Sequence, residues 1–289
     1  GGYGLAAQWS DDFHHAVHAA ITGERQGYYC DFGSVAALAK TYTRVFFHDG
    51  IWSAFRGRTH GRQVDVFRVP AHRFLGYLQD HDQIGNRATG DRIAASLSPE
   101  LLKVGAGLVL TSPYTPMLFM GEEWGADTPW QYFTDHIEPW LAQAVAEGRK
   151  NEFAAHGWAA ADVPDSQDEA TFLRSKLDWE QRHREPYLGL HAWYREMIAL
   201  RRARPELTDP RLDRVQADFN EDARWLLVRR GRLRIAANLG GKAVRLPLGQ
   251  RGTGVLAASS AGVAIKQDMV TMPPATFAVM ETRAAPGPM

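Results

Sequence analysis

The chain has 289 residues, and its 33 Lys+Arg are matched by 33 Asp+Glu, which argues against nucleic acid or an anionic membrane as the main partner. Hydrophobic residues make up 45%, enough for one large domain with a small appendage and too many for a disordered chain. The single cysteine, Cys30, excludes an intrachain disulfide and fits a reducing, cytoplasmic setting. The apolar stretch 104–110 is broken by Gly105 and Gly107 and is too short for a membrane span, and no signal peptide is expected.

In chain order, the first signal is Gln8-Trp9-Ser10-Asp11-Asp12-Phe13-His14-His15. Asp11 or Asp12 is placed to cap a helix whose apolar residues Phe13, Val17 and Ile21 recur every fourth position. His14 and His18 share one helical face at metal-ligand spacing, but no Glu completes an H-E-x-x-H pattern, so no metal is expected. One of these imidazoles is read as facing a polar site, with the others solvated. Ser34 caps a second helix, expected to run to about Phe47, with Val35, Leu38, Tyr42 and Val45 on its buried stripe. Residues 48–72 carry Gly50, Gly57, Gly61, Pro70 and several arginines without periodicity, and read as a long functional loop.

Residues 74–79 form an apolar run of strand length that ends in Asp80-His81-Asp82-Gln83-Ile84-Gly85-Asn86-Arg87. Carboxylates and a guanidinium are too costly to bury without partners, so a buried strand ending in this cluster points to a site at the C-terminal rim of a parallel sheet or barrel. If the strand continues, Asp80 and Asp82 face the same way, roughly 6.5–7 Å apart, and repel. Ser98-Pro99-Glu100 starts a helix to about Leu110. Residues 117–120 then read as a second buried strand, ending in Gly121-Glu122-Glu123-Trp124-Gly125, where at least one acid shapes the site. Two buried strands separated by a helix and ending in acids give a βαβ rhythm.

A helix is expected near 139–149 and an amphipathic one over 191–204, with Trp193, Met197 and Leu200 on one side. Beyond a Pro/Asp-rich boundary at 205–214 the pattern changes to β-rich runs at 225–228, 233–236, 243–248, 255–258 and 276–280, the rhythm of a small antiparallel sandwich. Arg229, Arg230, Arg232 and Arg234 read as a solvated basic face, and the tail 284–289 as loose. No P-loop, no G-x-S-x-G and no dinucleotide fingerprint is present.

The block 74–82 resembles the seventh-strand block of the alpha-amylase superfamily (glycoside hydrolase family 13), which ends in Asn-His-Asp. Thr115-Pro116 through Gly121-Glu122-Glu123 is similar to its eighth-strand block. More narrowly, Gly1-Gly2-Tyr3-Gly4-Leu5, Gln8 to His15, Thr22-Gly23-Glu24 with Gly27-Tyr28-Tyr29, Asp82 to Arg87, Tyr132-Phe133-Thr134-Asp135-His136 and Ser175-Lys176-Leu177-Asp178-Trp179 resemble the malto-oligosyltrehalose trehalohydrolase family.

The resemblance implies the last three βα units of a (β/α)8 TIM barrel over 1–207 and a C-terminal β-sandwich domain over 208–289. It implies a retaining glycosidase that releases trehalose from a malto-oligosyltrehalose or related α-glucan, with no cofactor. Asp82 takes the place of the transition-state stabiliser. His81, Gln83, Asp80, Asn86, Arg87, Trp9, Asp12, His14 and Glu123 are expected to contact the sugar. Asp80 stands where the family usually has Asn. The nucleophile and acid of the superfamily lie upstream of the block that opens at Gly1, so the partner implied is the missing N-terminal half of the barrel, and the chain alone is expected to be inactive. A glucan branching enzyme and a non-catalytic carbohydrate-binding fragment are the rival readings.

Overall fold

The computed structural model describes residues 4–155 and 163–283; residues 1–3 of the opening motif and the tail at 284–289 lie outside them. In chain order the elements are β1 (Gln8–Trp9), α1 (Asp11–Thr22), α2 (Val35–Arg44), β2 (Ile51–Ser53), β3 (Arg58–His60) and β4 (Phe74–Tyr77). There follow α3 (His81–Gly85), α4 (Pro99–Thr111), β5 (Thr115–Met117), α5 (Pro139–Ala155), α6 (Glu169–Arg174) and α7 (Tyr187–Ala203). The remainder is β: β6 (Val215–Asn220), β7 (Trp225–Arg230), β8 (Leu233–Asn238), β9 (Val244–Pro247), β10 (Gly252–Ala258), β11 (Ala264–Lys266), β12 (Met269–Met272) and β13 (Thr276–Thr282). Two compact units divide the chain: one takes residues up to 78, 97–117 and from 192 onward, the other 79–96 and 118–191.

The first unit is built on a parallel sheet of order β1-β4-β5. Gly76 in β4 sits in a crowded spot, where a Cβ would stand 3.2 Å from the rings of Phe13 and Tyr114. Phe13, Val17 and Ile21 of α1 are buried as their spacing predicts, each such side chain contributing about 1.5–3 kcal/mol. The cap is Ser10, and Asp11 and Asp12 occupy the first turn, where their charge suits the helix dipole. Ser34 does cap α2, its hydroxyl accepting from the Ala37 amide. That helix ends at Arg44, short of Phe47, because Val45 turns to φ 74° and the amides of Phe47 and His48 swing to the Asp12 carboxylate. Residues 48–72 are not wholly irregular: β2 and β3 pair as an antiparallel hairpin.

The strand expected over 74–79 stops at Tyr77, and of the run expected over 117–120 only Met117 is strand, as the last residue of β5. Around α4, Ser98 is the cap as read, and Gly107 lies against Phe277 of β13 so closely that a Cβ would come within 2.5 Å of the ring.

The C-terminal run forms a five-stranded sheet, β10-β13-β8-β7-β6, and a three-stranded one, β11-β12-β9. Leu227, Ala236, Ala278 and Met280 from the first share one core with Leu246, Leu248, Val270 and Met272 from the second. β6, β11 and β12 were not legible as strands. Two of the arginines read as solvated are buried instead: Arg230 donates to the carbonyls of Thr111, Leu207 and Asp209, and Arg234 to that of Leu248. Multiple carbonyl acceptors replace the water a guanidinium would otherwise keep.

In the second unit, α3, α5 and α6 are joined by irregular chain. The Arg149 guanidinium on α5 stacks 4.3 Å from the Tyr132 ring and donates to the Gly85 carbonyl at the end of α3. The Ser175 hydroxyl accepts from the Gln131 amide, so the two motif stretches around Tyr132 and Ser175 meet.

Candidate functional site

The chain turns sharply after β4. Asp80 adopts extended backbone and caps α3, its Oδ1 accepting from the amides of Asp82 at 2.8 Å and Gln83 at 2.9 Å. Asp80 and Asp82 therefore do not face the same way along one strand. Asp80 is 4% exposed, and burial raises its carboxyl pKa against the opposing pull of those two amides. Turning the Gln83 side-chain amide brings its nitrogen 3.0 Å from Asp80 Oδ2, which adds a further donor.

Asp82, by contrast, sits exposed in the first turn of α3. Asn86, the residue after α3, donates to Asp82 Oδ1 at 3.0 Å. His81 is exposed beside it. Arg87 pairs with Asp91 at 2.7 Å, so its guanidinium is held by the loop that follows. Thus Asp80 is a buried framework group, and Asp82 is the solvent-facing carboxylate that the framework presents.

Glu123 belongs to the same unit, in a 3-10 turn over Glu122–Trp124, where its Oε2 accepts from the Gly121 amide at 3.0 Å. Gly121 has φ 87°, and a Cβ there would meet Leu177 and Ala126. Arg92, which sequence reasoning passed over, ties this turn to the Asp80–Asp91 segment. Its Nη1 donates to Met120 O at 2.8 Å and its Nε to Thr128 O at 2.6 Å. Burial brings its pKa down to about 10, while Glu122 and Glu123 pull the other way. Gln79 completes the frame by accepting from the Ile93 amide at 3.0 Å.

The remaining expected residues, Trp9, Asp12 and His14, lie in the first unit. Trp9 and Asp12 line a cavity of about 380 Å³ at the C-terminal end of β1. Asp12 Oδ2 accepts from the amides of Phe47 and His48, both at 2.8 Å. The His48 imidazole stands between two carboxylates, 3.6 Å from Asp12 and 3.1 Å from Asp31. His14 is not in that wall. It is 1% exposed, with Nδ1 donating to Leu78 O at 2.8 Å and Nε2 left to accept from the Tyr29 hydroxyl at 3.0 Å. Its ring stacks on Tyr77, and burial holds its pKa well below the usual value, so it is neutral.

The neighbouring His15 lines the cavity, and burial lowers its pKa to about 3. His18 is buried against Glu24 rather than solvated. Among the described residues no group of three His, Cys, Asp or Glu is placed to hold a metal ion. Tyr28, Phe55, Arg56 and Arg62, which also line the cavity, were missed. The only sequence signal for the latter three was an arginine-rich loop without periodicity.

Comparison with known proteins places the chain among carbohydrate-active relatives. A malto-oligosyltrehalose trehalohydrolase from Mycobacterium tuberculosis is 53% identical over 248 residues, 86% of this chain and 43% of that protein. One from Rhizobium sp. strain M-11 is 49% identical over 279 residues, 96% of this chain and 46% of that protein. The chain is a relative of the malto-oligosyltrehalose trehalohydrolases. It spans less than half the length of these trehalohydrolase relatives. Residues 210–279 match a domain of unknown function, DUF3459. The crystal structure of a Salmonella typhimurium protein assigned as an alpha-amylase superposes with a TM-score of 0.83 at 34% identity, covering 96% of this chain and 47% of that one. A pullulanase from Anoxybacillus, solved with maltotetraose, shares the fold at a TM-score of 0.58 and 12% identity. The mixed helix-and-sheet architecture with its C-terminal antiparallel sheets is thus that of alpha-amylase family proteins. No helix among the described residues is long and apolar enough to cross a membrane.

Proposed function

We propose that this chain is part of a cytoplasmic, retaining glycosidase that hydrolyses the α-1,4 bond beside the terminal trehalose of a malto-oligosyltrehalose. The observation that carries the reading is identity of about half, over most of the chain, to trehalohydrolases. In this reading β1, β4 and β5 are the last three strands of a (β/α)8 barrel in a domain covering 1–207. Residues 208–289 form the C-terminal domain, and the nucleophile and general acid come from a preceding half of the protein. The chain alone is then inactive as a hydrolase.

Asp82 acts as the transition-state stabiliser. An ionised carboxylate that accepts hydroxyl hydrogen bonds binds more tightly as the sugar ring flattens and gains positive charge, which lowers the barrier rather than the ground state. His81, Gln83, Asn86, Arg87 and Glu123 supply hydroxyl partners, and Asp80 contributes by holding the first turn of α3. Within the first unit, Trp9 and Asp12 are read as sugar contacts of their own, and His14 packs on Tyr77 and bonds Tyr29. The direct test is trehalose release from a trehalose-capped malto-oligosaccharide, first by this chain and then with the preceding half supplied. Release only in the second case is expected. Release by the chain alone would refute the assignment of catalysis to groups outside it.

A further inference from the structure

Arg92 carries a positive charge inside the second unit, where it is 2% exposed. Two of its guanidinium nitrogens donate to backbone carbonyls, Nε to Thr128 at 2.6 Å and Nη1 to Met120 at 2.8 Å. The third, Nη2, is buried without a hydrogen-bond partner among the described residues. A pKa of about 10 leaves the group charged at neutral pH, with Glu122 and Glu123 as opposing charges. A buried cation with an idle donor is a poor stabiliser, and an apolar side chain of like size would serve the core better. What a guanidinium does supply is a rigid, planar fork that fixes two acceptors relative to each other.

The position of those acceptors gives the fork its use. Met120 and Thr128 are the two ends of the excursion that follows β5, and Glu123 stands between them in its 3-10 turn. Within the excursion the Glu122 amide donates to the Phe119 carbonyl and the Ala126 amide to that of Gly121, so the turn is closed on itself and Arg92 grips it at both ends. The guanidinium also lies 5.2 Å over the Phe119 ring.

On its other side, Arg92 is next to Ile93, whose amide donates to the Gln79 side chain at 3.0 Å. Gln79 precedes Asp80, the cap whose carboxylate takes the Asp82 amide at 2.8 Å. A continuous run of bonds thus leads from Asp82 through Asp80, Gln79 and Arg92 to the turn that carries Glu123. A separate backbone bond, from the Trp130 amide to the Gly90 carbonyl at 2.8 Å, joins the same two segments. Their association therefore survives loss of the Arg92 side chain, and what the fork adds is orientation.

We propose that Arg92 is a positioning residue that fixes the Glu123 turn relative to Asp82, so that both side chains meet one sugar in the geometry of the transition state. The role in turnover rests on the hydrolase reading above; the clasp itself does not. Misplacing a reacting arrangement by ~1 Å costs on the order of 10²-fold in rate, so the loss falls on turnover.

The test compares Arg92→Met, which keeps side-chain length and removes every donor, with Arg92→Lys, which keeps the charge but not the fork. Trehalose release from a trehalose-capped malto-oligosaccharide by the completed protein should lose about tenfold or more in kcat with Arg92→Met, while KM stays within about threefold. Arg92→Lys should fall between that variant and the parent. Amide hydrogen exchange in the 289-residue chain reads the clasp without catalysis. In Arg92→Met the Glu122 and Ala126 amides should exchange about tenfold faster or more, with the Thr134 and Ala236 amides within about twofold of the parent. A merely structural role would lower stability throughout and speed all four. Equal acceleration at all four amides, a rise in KM with kcat unchanged, or an active protein indifferent to Arg92→Met would overturn the proposal. If the completed parent releases no trehalose, the hydrolase reading falls alone, and the exchange pattern still decides the clasp.

Discussion

Asp80→Asn and Asp80→Ala separate the two roles open to this residue. Asp80 Oδ1 takes the amides of Asp82 and Gln83 at 2.8 and 2.9 Å, and an Asn side-chain oxygen can accept both in the same way. Asn and Asp cap helices about equally well, whereas Ala in their place costs ~0.5–2 kcal/mol. Asp80→Ala should therefore speed hydrogen exchange of the Asp82 and Gln83 amides by roughly 2- to 30-fold, measured by NMR, with Asp80→Asn within about threefold of the parent.

The pH dependence gives a second handle. Burial raises the folded-state pKa of Asp80 above its ordinary value, so the native state holds the proton more tightly than the unfolded chain. Its contribution is then most favourable at low pH and is lost as pH rises through the folded pKa. Asp80→Asn, which carries no charge to bury, should gain stability relative to the parent from acid toward neutral pH, read as a rising difference in urea midpoint. A loss of more than ~1 kcal/mol on Asp80→Asn at pH 7 would refute the capping account, because that exceeds any Asp–Asn cap difference. It would mean that the charge itself does work at the site.

Three further outcomes are expected. In the complete protein Asp82→Asn should lower kcat by orders of magnitude with little change in KM, since its contacts strengthen in the transition state; equal losses in both would point to simple substrate binding. His14 and His15 are held neutral by burial, so the unfolded chain takes up protons that the native state refuses, and stability should fall as pH drops below about 6.5, toward about 3 for His15. A His14→Gln variant should flatten that slope in urea titrations, and an unchanged slope would place the acid sensitivity elsewhere. Gly107→Ala gains ~1 kcal/mol of helix propensity but drives a Cβ to 2.5 Å from the buried Phe277 ring. Overpacking of ~1–3 kcal/mol should win, giving a lower melting temperature that Phe277→Leu partly relieves; a more stable Gly107→Ala would show that the ring can move aside.

Local and periodic features were legible in the residues alone. Phe13, Val17 and Ile21 marked α1, Ser34 and Ser98 marked two helix starts, and the runs beyond 225 marked an antiparallel β region, because spacing and capping act over a few residues. The polar cluster after Tyr77 was visible too, as was its place beyond a buried strand. What the sequence could not decide was which polar groups would be buried. Asp80 and Asp82 are two residues apart and chemically identical, yet one is a concealed cap and the other an exposed carboxylate, because the chain turns into α3 between them. His14 and His15 part in the same way, the first into the core on Leu78 and Tyr29, the second into the cavity wall. Arg230 and Arg234 looked like solvated surface until carbonyls distant in sequence closed around them. Burial of a polar side chain depends on partners brought from elsewhere in the chain, and only the tertiary fold supplies those.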